Sequence, residues 1–266
     1  MQFRMSATEI DQRFSKNNTR GSRQEYKVDN RKIHYAKTGN PDEPLVLFIH
    51  GSPGSLSDFI QFLTDSSLQQ KGLLISVDRP GFGQSNFGRG EPSLAVQARL
   101  IKPLIEQYKR NKPVILVGHS LGGPVIAQLA MDFPDLIDGL VFVAGSVDPK
   151  LEPSNWWRAP LATPYIRWML PRSIRASNDE IYPLRIQLEE VESRWSDIKC
   201  DVIVIQGTKD SLVPAGNAEY IRSHLTNTVP KIIYEEGMDH FVPWSHPHLI
   251  KDAVLEMIAS HGVHLD

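Results

Sequence analysis

The chain has 266 residues, 41% of them hydrophobic, with a net charge of −2 and a single cysteine. That suits one large domain or two small ones around a full core. It excludes the basic patch of a nucleic-acid binder, an internal disulfide and a cysteine-based zinc cluster. No apolar run nears the roughly 20 residues of a membrane span. The opening MQFRMSATEIDQRF lacks the apolar core of a signal peptide, so the chain as given reads as cytoplasmic. An export signal removed upstream of this numbering would leave no trace.

Residues 1–24 are polar, with Phe3, Ile10 and Phe14 spaced to form one face of a short helix, and read as an N-terminal arm. Residues 25–28 and 33–38 read as strands around a turn at Asp29-Asn30. His34 alternates with its strand neighbours and reads as structural. Residues 45–49 are continuously apolar, as in a strand covered on both faces, and end in His50-Gly51-Ser52-Pro53-Gly54. Ser55 or Ser57 caps a helix that shows Phe59, Phe62 and Leu63 on one face. The strand at 73–77 runs into Asp78-Arg79-Pro80-Gly81-Phe82-Gly83-Gln84-Ser85. Gly81 and Gly83 could begin a dinucleotide fingerprint, but Asn86 stands at its third glycine and no helix opens there. The phosphate-loop motif is absent too, so no nucleotide cofactor is expected.

A helix is expected over 92–110, with Leu94, Ala98, Ile101, Leu104 and Ile105 inward and Pro103 inside it. Residues 114–117 form a β-branched strand. Gly118-His119-Ser120-Leu121-Gly122 fits G-x-S-x-G, and Val125, Ile126, Leu129 and Ala130 follow at helical spacing. A strand turning into a helix so quickly pushes the corner residue, Ser120, toward a strained backbone and needs small neighbours. Residues 140–143 are another buried strand. The stretch 147–199 has no such run but holds Trp156, Trp157, Trp168 and Trp195 and six prolines, and reads as short helices inserted between two strands. Strand 202–205 leads into Gly207-Thr208-Lys209-Asp210, a helix covers about 217–224, and strand 231–234 leads into Gly237-Met238-Asp239-His240-Phe241. Residues 247–260 close the chain as a helix. Cys200 adjoins an apolar run and reads as a small core residue.

The alternation argues for a mostly parallel sheet with helices on both faces, where ligands bind past the carboxyl ends of the strands. His50-Gly51, Ser120, Asp148, Asp210 and His240 all fall there. A serine hydroxyl needs a base within hydrogen-bond reach, histidine suits neutral pH, and an acid fixes its tautomer. Ser120, Asp210 and His240 occur in the order nucleophile, acid, base that this type of sheet uses. Asp148 is the rival acid, and Asp239 lies along the same loop as the histidine.

With HGSPG at 50–54, DRPGFGQS at 78–85, GHSLGG at 118–123, GTKDSLVP at 207–214 and GMDHF at 237–241, the chain resembles the α/β-hydrolases that carry an HG-x-P motif and a helical cap. The resemblance implies an eight-stranded, mostly parallel sheet, a core at 25–146 and 200–266, and a cap at 147–199. It implies Ser120 as nucleophile, Asp210 as acid, His240 as base, and the backbone N–H groups of Ser52 and Leu121 as the oxyanion hole. No cofactor or metal is expected. His119 is expected to pack, and His50 to make a structural hydrogen bond. Serine at the nucleophile position counts against dehalogenase and epoxide hydrolase chemistry, which use aspartate there. The expected activity is cleavage of a carboxylic ester, or of a lactone, amide or C–C bond beside a ketone, through an acyl-enzyme. Trp156, Trp157 and Trp168 suggest a pocket for a small molecule with an apolar group, or else glue for the cap. The competing reading is a non-catalytic receptor or scaffold of the same fold.

Overall fold

The computed structural model describes residues 4–153 and 156–262. Its strands are β1 (Ser22–Val28), β2 (Arg31–Gly39), β3 (Leu45–Ile49), β4 (Leu73–Val77), β5 (Val114–His119), β6 (Gly139–Val143), β7 (Asp201–Gly207) and β8 (Lys231–Glu235). They form one sheet in the order β1-β2-β4-β3-β5-β6-β7-β8. β1 and β2 are antiparallel additions, and β4, β3 and β5 to β8 run parallel. This is the mostly parallel eight-stranded sheet that the alternation and the resemblance predict.

Every residue of β3, β4, β5 and β6 is buried, because helices cover both faces. The period-2 pleat divides them between two cores. Val114 and Leu116 of β5 face the layer that holds helices Leu94–Tyr108 and Gly122–Asp132. Ile115 and Val117 face the layer with Phe59, Phe62 and helix Pro247–Gly262.

Local signals place the ends. Asp29 and Asn30 both have positive φ, 49° and 58°, which turns β1 tightly into β2. Ser93 accepts a hydrogen bond from the Val96 N–H and starts helix Leu94–Tyr108. In the arm, Ser6 and Glu9 form a capping box on helix Ala7–Lys16, which seats Ile10 and Phe14 in the second core. Phe3 lies outside the described residues. β1 starts at Ser22, inside the expected arm, because its ladder with β2 continues past the apolar residues.

Between β6 and β7 the described residues contain helices and no strand, chiefly Arg172–Ile181 and Leu184–Val191. Trp195 is buried there against Phe142 and Tyr220, so this tryptophan joins the insert to the sheet layer. Cys200 is half-buried at the edge of the core, and burial pushes its thiol up to about 12.

Candidate active site

The corner after β5 is short. Only Ser120 and Leu121 separate it from helix Gly122–Asp132. Ser120 sits at φ 54°, a left-handed conformation that costs a non-glycine residue of order 1–3 kcal/mol. The surroundings hold it there. Its N–H donates to the Val143 carbonyl at 3.0 Å, and its own carbonyl accepts from Gly123 and Ser146. A β-carbon on Gly122 would lie 2.2 Å from the Ile49 carbonyl oxygen, which is why that position is glycine.

Two further carboxyl-edge loops bring in the acid and the imidazole. Asp210, just past β7, accepts from the Leu212 and Val213 N–H groups through Oδ1, at 2.9 and 2.8 Å. Its Oδ2 faces His240 Nδ1 at 2.8 Å. With the carboxylate taking the Nδ1 proton, His240 Nε2 is the basic nitrogen. Ser120 and His240 line one cavity of about 980 Å³. Among the described residues no hydrogen bond joins them, and such contacts commonly tighten only when substrate binds. Asp148 accepts from the Lys150 N–H, and among the described residues no hydrogen bond or ion pair joins it to His240. Asp239 accepts from the Phe241 N–H.

Ser52 and Leu121 both line the same cavity. Among the described residues neither backbone N–H donates to a protein group, so both remain available to a ligand oxygen. Leu121 N–H also opens helix Gly122–Asp132, whose positive end favours an anion.

Two further histidines flank the site, and both have their ring nitrogens engaged or buried. His50 Nε2 accepts from the Arg79 N–H at 3.0 Å, so its Nδ1 holds the proton and donates to the Gly51 carbonyl at 2.7 Å. Burial and the Arg79 charge hold this ring well below its ordinary pKa. His119 is lowered to about 3 by burial and by His240. Neutral, it donates from Nε2 to the His240 backbone carbonyl at 3.0 Å. The packing role expected for His119 therefore includes a direct hold on the backbone of His240. Adjacency to Ser120 was the sequence cue, but only the fold brings a residue 121 positions away onto its ring.

The tryptophan expectation needs correction. Trp156, Trp157 and Trp168 are exposed to solvent and are not among the residues that line the cavity. The residue there is Trp244, with Leu121, Ile174, Ile181, Leu184 and Phe241 as further apolar wall. The reason is local: 156–168 forms very short helices that turn the large rings outward, whereas Ile174, Ser177 and Ile181 share the inner face of helix Arg172–Ile181.

Sequence reading also missed a buried network beneath the loop that follows β3. Arg79 and Glu180 are fully buried and paired at 2.8 Å. The guanidinium uses all five of its N–H donors. It reaches the His50 and Gly51 carbonyls, each at 2.8 Å, Gln97 Oε1, and both oxygens of Glu180. Burial raises the Glu180 carboxyl to about 7, although the guanidinium pulls it down. Ser52 Oγ donates to Ser177 Oγ on the same helix as Glu180, at 2.9 Å.

Asp58, on the cavity wall, is raised from 3.8 to about 7 by burial, with the charge of Asp78 adding to the rise and the Ser55 N–H opposing it. The folded state therefore binds a proton that the unfolded chain has already lost. The associated stability is complete below about pH 4 and is lost as pH rises through about 7. Asp58→Asn should flatten that part of the dependence. Thermal unfolding between pH 4 and 8 should show a smaller loss of Tm in the variant than in wild type, and parallel curves would remove Asp58 as its source.

The family model for the alpha/beta hydrolase fold matches residues 44–169. Over 117 residues, 44% of this chain, the sequence is 33% identical to the dihydrolipoyllysine-residue acetyltransferase component of the acetoin cleaving system of Cupriavidus necator. The chain spans 30% of the length of the first curated relatives it matches. An uncharacterized hydrolase of Bacillus subtilis is 24% identical, over 88% of this chain and 96% of its own. Among solved structures, a hydrolase from Pseudomonas aeruginosa superposes with a TM-score of 0.70 at 18% identity, covering 89% of this chain and 98% of that one.

Proposed function

We propose, from the match of residues 44–169 to the alpha/beta hydrolase family model and from the geometry of the site, that this chain is a serine hydrolase that cleaves a carboxylic ester, or a related carbonyl substrate, through an acyl-enzyme. One observation carries the reading: His240, paired with Asp210 at 2.8 Å, lines one cavity with a serine held at φ 54°. His240 Nε2 takes the Ser120 proton as Oγ attacks the carbonyl carbon. The developing oxyanion meets the N–H groups of Ser52 and Leu121, each contributing about 3 kcal/mol by analogy with similar donors. The tetrahedral species collapses, the C–O bond to the leaving group breaks, and the imidazolium returns its proton to the departing alkoxide. Water, activated by the same imidazole, then hydrolyses the acyl-serine and restores the enzyme.

The insert at 147–199 acts in this proposal as a cap, with Ile174, Ser177 and Ile181 forming the wall opposite the sheet. The volume and apolar lining suit an acyl or aromatic group of moderate size. Glu152 and Arg158 give one end of the cavity polar character. The test is labelling by a fluorophosphonate probe. The expected result is one adduct on Ser120 in wild type and none in Ser120→Ala. An unlabelled wild type would favour a non-catalytic ligand-binding role.

A further inference from the structure

The outer side of the insert carries a surface that the proposed chemistry does not use. Between residues 156 and 169 the chain leaves Tyr165 83%, Trp156 77%, Trp168 71% and Met169 70% exposed, with Trp157 half exposed. Large rings burdening the solvent side of one short segment have an unmet hydrophobic demand.

Beside this segment lies a shallow concavity of about 530 Å³, lined by Asn86, Phe87 and Gly88 and by Arg89, Arg167, Arg172 and Arg175. Among the described residues no acidic side chain lines it. Arg167 is neutralised by Asp179 at 2.6 Å. Arg175 is spent on carbonyls, donating to those of Arg167, Trp168 and Leu170, which ties the basic cluster to the aromatic segment. Among the described residues the guanidinium groups of Arg89 and Arg172 form no hydrogen bond or ion pair. Arg172 also opens helix Arg172–Ile181, whose start has no side-chain cap. In a chain of net charge −2, this collection of positive charge calls for an external anion.

We propose that this face docks on an anionic phospholipid surface, with the tryptophans and Tyr165 at the boundary between headgroups and acyl chains and Arg89 and Arg172 on lipid phosphates. The two features fit that occupant together. Trp and Tyr are amphipathic and settle at such boundaries, and a planar guanidinium binds phosphate oxygens in pairs. A free phosphate would satisfy the arginines and leave the rings in water. A purely apolar partner would cover the rings and strand the charges. Helix Arg172–Ile181 separates this face from the cavity: Arg172 and Arg175 point outward and Ile174, Ser177 and Ile181 inward. Docking would set the cavity wall against the lipid boundary. Binding does not depend on turnover, so it is testable whether or not the hydrolase reading holds.

The experiment is co-sedimentation of the full chain with vesicles of phosphatidylcholine alone and of equal parts phosphatidylcholine and phosphatidylglycerol, with tryptophan quenching by brominated acyl chains. The expected result is partitioning onto the anionic vesicles, weaker at high salt, with the tryptophans quenched. Arg89→Glu/Arg172→Glu and Trp156→Ser/Trp168→Ser should each lower partitioning roughly tenfold or more. Both should leave hydrolysis of a short water-soluble ester as in wild type. No partitioning, equal partitioning onto neutral vesicles, or unchanged binding in either variant would overturn the proposal. So would a concentration-dependent dimer that shields the same tryptophans from an aqueous quencher.

Discussion

Ser120→Ala and His240→Ala should each lower turnover of a short p-nitrophenyl ester by at least about 10³-fold in the folded protein. The two losses should not add, because the imidazole has no proton to accept once the hydroxyl is gone. Asp210→Asn should also cost about 10³-fold, since an amide in place of Oδ2 can present its NH₂ to Nδ1 and leave the proton on Nε2, where a lone pair is needed. Asp148→Asn should leave turnover near wild type, because Asp148 only caps its own turn at Lys150. Steady-state kinetics on the four variants, with circular dichroism to confirm folding, decide the matter. Equal losses for the two aspartates, or residual activity near wild type in Ser120→Ala, would break the assignment.

Arg79→Ala is expected to destabilise the fold strongly. It leaves Glu180 buried without its counter-charge and strips the His50 and Gly51 carbonyls of their donors. Removing one partner of a buried pair typically costs about 3–5 kcal/mol. For a chain of this size that is a fall in Tm on the order of 10 °C. The double variant Arg79→Met/Glu180→Met separates two roles. Apolar packing should restore much of the stability, as it often does for buried ion pairs. Turnover should stay depressed through kcat, because the two carbonyls beneath Ser52 would still lack the guanidinium that fixes the loop. Recovery of both stability and kcat would mean that Arg79 serves only as packing and charge balance.

This network also explains why a helix outside the sheet bears on the loop that carries Ser52. Glu180 and Ser177 lie one turn apart on helix Arg172–Ile181, and through Arg79 and Ser52 they hold the loop after β3 from the insert's side. The insert is therefore more than a cover over the cavity. Its docking and the position of the Ser52 N–H are parts of one hydrogen-bonded unit.

Local physics made much of the molecule readable in the chain alone. Continuous β-branched runs marked the covered strands, helical spacing marked Leu94–Tyr108 and Gly122–Asp132, and glycines around Ser120 marked a corner where a β-carbon collides. These signals act over a few residues, so they survive without coordinates. Strand ends also named the loops from which Ser120, Asp210 and His240 come. They did not choose between Asp210 and Asp148, since both follow a strand. The 2.8 Å approach to His240 is a property of how β7 and β8 lie side by side. The tryptophans mark the same boundary: composition told that 147–199 was rich in large rings, but which way each ring points depends on packing against distant residues. Arg79 and Glu180 stand 101 positions apart, and no periodicity links them. Chain chemistry sets which groups exist and which local shapes they allow; the folded packing alone sets which of them meet, because burial and direction are relations between segments the sequence keeps far apart.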